Sequence, residues 1–121
     1  MKILSITPIL ADSAGTKEPI WAISTRGGRA WRVAEGSNPA LSPDGRWVLF
    51  VKDGQIYRAP VNTGTALTER VDDLPPLFRA WGRNGDPTWS PDGRYIAFVS
   101  QREDHSFIGV YDTDFPSVRY M

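Results

Sequence analysis

The chain has 121 residues, 40% hydrophobic and 23% charged, and its 14 basic and 14 acidic side chains cancel to a net charge of +0. That balance excludes a disordered chain, and eleven arginines scattered singly make no basic stripe for a nucleic acid. The absence of cysteine excludes disulfides and thiolate metal sites, and no apolar run approaches the ~20 residues with which a helix spans a bilayer.

In chain order, residues 2–10 are the first apolar run. The run is short, broken by Thr7-Pro8 and closed by Ala11-Asp12, which fits a strand over 3–9 better than the longer, cleaner core of a signal peptide. No clear signal peptide is expected, and the chain is expected to be soluble, with its compartment, cytoplasm or periplasm, left undetermined by the sequence. Ile20-Trp21-Ala22-Ile23 predicts the next strand, Thr25-Arg26-Gly27-Gly28 a turn, and residues 30–34 a further strand. With no helix after it, Gly27-Gly28 is a turn and not a phosphate cradle.

The middle and end of the chain repeat. Pro39-Ala40-Leu41-Ser42-Pro43-Asp44-Gly45-Arg46 recurs 48 residues later as Pro87-Thr88-Trp89-Ser90-Pro91-Asp92-Gly93-Arg94, and the match continues without a gap to Val51 and Val99. In each copy proline presets φ at the first turn position, Asp suits the second and Gly accepts the left-handed third. Pro43, Asp44, Gly45, Pro91, Asp92 and Gly93 are therefore structural turn residues. Ala40-Leu41 and Thr88-Trp89 read as short inner strands before the turns. Residues 47–51 and 95–99 read as strands greasy on both faces and hence covered on both. Third strands follow at Ile56-Tyr57-Arg58-Ala59 and Ile108-Gly109-Val110-Tyr111, polar turns at 62–65 and 113–116, and more polar fourth strands at 66–69 and 118–121.

A repeat of this length with one turn signature per unit predicts an all-β fold. Four-stranded antiparallel blades form a partial β-propeller of about 2.5 to 3 blades. Residues 1–36 form a blade lacking its innermost strand, 37–70 a second blade, 71–85 an inter-blade loop and 86–121 a third blade, all in one domain.

Trp89-Ser90-Pro91-Asp92-Gly93-Arg94-Tyr95-Ile96-Ala97-Phe98-Val99-Ser100 resembles the TolB-type propeller repeat, found in TolB proteins and in the propeller domains of prolyl-oligopeptidase-family serine peptidases. The continuation from Arg102 to Asp112 is most similar to the dipeptidyl-peptidase and acylaminoacyl-peptidase branch. That resemblance implies a parent enzyme in which the propeller gates or positions peptide substrate for an α/β-hydrolase domain with a Ser-Asp-His triad. This chain holds no Gly-x-Ser-x-Gly nucleophile elbow and under three blades. It is expected to be non-catalytic and to need no cofactor. The rival expectations are a TolB-like protein–protein interaction module and a purely structural blade array.

Isolated residues add little chemistry. His105 lies between Asp104 and Ser106, but neighbours on an extended segment point in opposite directions, so a polar loop role is expected for it. Asp44 and Asp92 sit in equivalent turns, which argues against paired catalytic carboxylates. Asp112-x-Asp114 with Glu103 and Asp104 lacks the Gly and terminal Glu of a calcium loop, so no metal is expected. Trp21, Trp31, Trp47 and Trp89 read as packing residues, with Trp81 the exception.

Topology points further. In a four-stranded meander, the first-to-second and third-to-fourth connections share one face of the propeller, and here they are compact turns. The other face takes residues 11–19, 71–86 and 101–106, which read as the long connections. Binding residues concentrate on elaborated loops held by a rigid scaffold, which singles out Arg79, Trp81, Arg83, Asn84, Arg102 and His105 as candidate contacts for a peptide substrate or protein partner. Under three blades also leave sheet faces uncovered, so the isolated chain is expected to form a homo-oligomer.

Overall fold

The computed structural model of the chain describes residues 3–8, 18–24, 31–61 and 75–121. The expected turns at 25–28 and 62–65, the expected strand at 66–69 and residues 11–17 and 71–74 of the long connections lie outside them. The described residues form nine strands: β1 (Ile3–Pro8), β2 (Glu18–Ser24), β3 (Trp31–Leu41), β4 (Trp47–Lys52), β5 (Gln55–Pro60), β6 (Arg83–Trp89), β7 (Tyr95–Arg102), β8 (His105–Asp112) and β9 (Ser117–Tyr120). They contain no helix. Each strand pairs antiparallel with its neighbour in sequence, β1 to β5 in one run and β6 to β9 in a second. The fold is all-β, and β6 to β9 make a complete four-stranded blade.

β3 belongs to two blades. Its first part pairs with β2 and its second, from Ser37, pairs with β4. The sequence suggests an outer strand ending near Ala34 and a separate short inner strand at Ala40-Leu41. The structure instead runs them together as one strand of 11 residues. The change of partner is marked by Asn38, whose φ is 52, and by a register shift between Ser37 and Ala40. The same device recurs 48 residues on, where Asp86 has φ 49 and the register shifts between Gly85 and Thr88. Asn and Asp tolerate left-handed backbone better than other side chains, and the proline after each has no N–H to give a ladder. The repeat thus begins at Asn38 and Asp86, with a bulge that bends the inner strand.

The two Ser-Pro-Asp-Gly turns are built alike. Gly45 N–H donates to the Ser42 carbonyl at 2.9 Å, and Gly93 N–H to that of Ser90 at the same distance. Both glycines have φ 76, the left-handed position that the turn requires. The serine hydroxyl ties each turn internally: Ser42 Oγ donates to Asp44 Oδ1 at 2.6 Å and accepts from Trp47 N–H at 3.0 Å. Ser90 does the same with Asp92 at 2.6 Å and Tyr95 N–H at 2.9 Å. The connection between β4 and β5 is the two-residue turn Asp53-Gly54, both at positive φ, a hairpin signal legible in the sequence.

Burial follows the stacking of blades. Ile20, Ala22 and Ala34 of the first blade pack with Val48, Phe50 and Ala59 of the second. Leu49 and Ile56 on the opposite face of the second blade pack with Ile96, Phe98 and Tyr111 of the third. Val48, Leu49 and Phe50 are consecutively buried, as a strand covered on both faces requires. Trp89 Nε1–H donates across the second interface to the Ala40 carbonyl at 3.0 Å, a direct bond between inner strands of adjacent blades.

Candidate functional site

The described part of the long inter-blade connection, residues 75–82, is not a free loop. Leu77 N–H donates to the Ile56 carbonyl at 2.8 Å, which carries the segment across the end of the second blade. Phe78 then enters the crevice between blades, its ring 4.9 Å from Phe98 and stacked on Tyr111 at 4.8 Å. Gln55 reaches from the β4–β5 hairpin to fix the next turn: its Nε2 donates to the Ala80 carbonyl at 3.3 Å and its Oε1 accepts from Ala80 N–H at 3.5 Å. Ser100 Oγ donates to the Trp81 carbonyl at 3.0 Å. The backbone of Trp81 is therefore held in place while its side chain stands 76% exposed.

The six contact candidates fall into three environments. Trp81, Arg102 and His105 come together, with Glu103, Asp104 and Phe107, around an open cleft of about 380 Å³. Arg102 lies with its guanidinium 4.9 Å from the Phe107 ring centre and 4.7 Å from that of Tyr120, an arrangement that stiffens a long side chain. Its buried Nε has no hydrogen-bond partner among the described residues. His105 meets Phe107 edge to face at 6.2 Å. Arg83 and Asn84 instead line a second, polar cleft of about 250 Å³ with Ser37, Asn38, Asp86 and Gln101. Arg79 is exposed on the connecting segment and lines neither cleft.

Asn84 differs in kind from the others. It is buried, and its Nδ2 donates to Gln55 Oε1 at 3.3 Å and to the Ala80 carbonyl at 3.2 Å. Its backbone N–H donates to the Gly54 carbonyl at 2.9 Å. Asn84 therefore couples the hairpin of one blade to the inner strand of the next, and a positioning role for the 75–82 segment is explicit in these bonds.

Two sequence expectations need correction here. Residues 101–106 are not a long connection: β7 and β8 stay paired out to Arg102 and His105, leaving the two-residue turn Glu103-Asp104. His105 is accordingly the first residue of β8 and not a loop residue. The elaboration of this face rests, within the described residues, on the 75–82 segment alone, and the strand after it already starts at Arg83. Phe78 and Gln55 escaped the sequence reading. Phe78 follows Leu77 without any strand or helix period, and Gln55 carried no signal beyond its place after Asp53-Gly54.

On the opposite face, Asp44 and Asp92 line one cleft of about 190 Å³ with Trp47, Arg58 and Trp89. Both carboxyls are held below the usual value of 3.8, first by the hydrogen bond from the serine of the same turn and then by the backbone N–H of Arg46 or Arg94. A carboxylate so satisfied is a turn lock and is a poor general base. Arg94 grips Asp112 in bidentate fashion, Nε to Oδ1 at 3.1 Å and Nη2 to Oδ2 at 3.0 Å, joining the turn before β7 to the end of β8. Among the described residues no group of three or more His, Asp or Glu side chains converges to hold a metal ion, and no helix is long and apolar enough to cross a membrane.

Neither a family model nor a curated protein matches this sequence. Solved structures do match its fold. The chain superimposes on TolB from Acinetobacter baumannii with a TM-score of 0.60 and 21% identity, covering 91% of this chain and 30% of that one. It superimposes on a putative TolB from Agrobacterium tumefaciens with a TM-score of 0.64 and 20% identity, covering 99% of this chain and 50% of that one. The chain therefore has the fold of TolB-type propeller blades and spans half or less of the length of these two structures.

Proposed function

We propose that the protein is a non-catalytic propeller module that binds a protein or peptide on the face carrying the 75–82 segment. The observation that supports this most directly is Trp81: a large side chain 76% exposed on a backbone pinned by Ser100, beside an arginine whose guanidinium lies against the Phe107 and Tyr120 rings. Exposed aromatic and arginine side chains that are already ordered lose little entropy on binding and dominate contact energies at protein interfaces. The likeness to TolB-type blades agrees with a binding scaffold. The peptidase reading rests on residues 102–112, which here run from the end of β7 through a two-residue turn into β8; of them Arg102, Glu103, Asp104, His105 and Phe107 line the same cleft.

The test is capture of partners from cell extract by the immobilised chain, compared with Trp81→Ala and Arg102→Ala. A partner held by the parent chain and released by both substitutions, with melting temperatures within a few degrees, is the expected outcome. Capture indifferent to both substitutions contradicts the proposal, as does hydrolysis of a dipeptidyl chromogenic substrate by the pure chain.

A further inference from the structure

Arg102 ends β7 and pairs with His105 across the turn to β8. Its stem lies against the backbone of the 75–82 segment: a Cβ at Gly82, where φ is 86, would sit 2.9 Å from Arg102 Cγ. Its guanidinium lies in the corner made by the Phe107 and Tyr120 rings, whose centres are 6.4 Å apart and whose planes meet at 70°. The side chain is therefore placed before anything binds, yet its hydrogen bonding is incomplete. Nε is buried without an acceptor among the described residues. Nor does any carboxylate among them form an ion pair with Arg102, although Glu103 and Asp104 border the same cleft. A buried donor without an acceptor costs free energy, which an oxygen brought by a ligand recovers.

Arg94 shows what the same group does with an acceptor in reach: its Nε and Nη2 take the two oxygens of Asp112 at 3.1 and 3.0 Å. The planar fork of a guanidinium suits a carboxylate in this way, and a lysine cannot reproduce it. We propose that the cleft bordered by Trp81, Arg102 and Phe107 takes the C-terminal carboxylate of a protein partner whose last residue is apolar. Arg102 holds the carboxylate, and the exposed Trp81 ring covers the last side chain. This rests on the reading of the face as a binding surface and names the chemistry of its partner. An internal acidic side chain fits the cleft less well. On an extended peptide its apolar neighbour points the opposite way, whereas a C-terminal residue carries carboxylate and side chain on one Cα. Glu103 and Asp104 repel a run of acidic residues, so a single carboxylate is favoured over an acidic segment.

Titration of the isotope-labelled full chain with N-acetyl-Ala-Phe, followed at the Arg102 Nε–H and the Trp81 indole N–H, tests this. Both signals are expected to shift and saturate, and the same peptide as its C-terminal amide is expected to bind at least about tenfold more weakly. Arg102→Lys, which keeps the charge and loses the fork, is expected to lose a similar factor for the acid and little for the amide, with the circular dichroism of the sheets unchanged. Trp81→Ala is expected to weaken acid and amide alike. Equal binding of acid and amide overturns the carboxylate assignment and leaves the face a binding surface. Tighter binding of N-acetyl-Phe-Asp-Ala-amide, whose only charge is an internal side chain, overturns the choice of a C-terminus. Silence of both signals toward every peptide overturns the proposal outright, while the wider reading still answers to the capture experiment.

Discussion

Gly93 and Gly45 each hold a left-handed φ of 76 at the close of a Ser-Pro-Asp-Gly turn, but their surroundings differ. A Cβ at Gly45 would meet nothing within 4 Å, whereas one at Gly93 would lie 3.9 Å from the Pro43 ring, an ordinary contact, so neither is crowded. Steric room therefore does not decide the outcome; backbone strain does. Gly93→Val and Gly45→Val are each expected to destabilise the fold by roughly 1–3 kcal/mol, read as a fall in melting temperature. Unchanged melting of both variants contradicts the turn geometry. The carboxylates of the same turns make stability depend on pH. Asp44, Asp92 and Asp112 all titrate below 3.8 in the folded chain, the first two chiefly through their serine hydroxyls and the third through Arg94. A lowered native pKa means that the unfolded chain binds protons first as pH falls. Their contribution is thus complete well above pH 3.8 and is lost as pH falls below it through the lower native values. Acid titration of Ser42→Ala and Ser90→Ala is expected to show a smaller loss of stability over that range than the parent chain.

At the scale of elements, two packing contacts join neighbouring strands and anchor the 75–82 segment. Phe98 lies across Gly109 on the neighbouring strand, so close that a Cβ at Gly109 would sit 2.3 Å from the ring. Gly109→Ala must displace a buried ring and is expected to cost roughly 1–3 kcal/mol as overpacking. The loss is expected to shrink when Phe98 is also replaced by Leu, which a double-mutant cycle measures. Phe78 is the anchor of the 75–82 segment, and Phe78→Ala is expected to loosen that segment before the blades. Limited tryptic cleavage after Arg79 then accelerates by more than tenfold, while the circular dichroism of the sheets persists. What the sequence made legible divides along the same line. Turn chemistry and alternation are local, so β4, β7 and their turns were readable, as was Trp81 standing outside the strand pattern. The continuity of β3 was not, because it depends on which blade each half pairs with. Nor was the anchoring of Phe78, which depends on a crevice made by residues 20 to 33 positions away. The 101–106 connection was misread because its acidic, polar residues resemble a loop, although two residues suffice to turn a hairpin.

At the scale of the molecule, the repeat places a blade with both faces covered between two others, and the inner strands are tied across by Trp89 and Ala40. The stack creates the face on which Trp81, Arg102 and His105 meet, since the 75–82 segment is held by the hairpin of one blade and the strands of the next. Separate, independently folded sheets would leave that face unassembled. The stacking is tested most directly by an isotope-edited NOE spectrum of the full chain. Cross-peaks from the Ile96 methyls to those of Leu49 and Ile56, together with a protected Trp89 indole N–H, are the result expected of the inter-blade core. Cross-peaks confined within each sheet, with the indole N–H exchanging freely, would contradict the stacked-blade architecture.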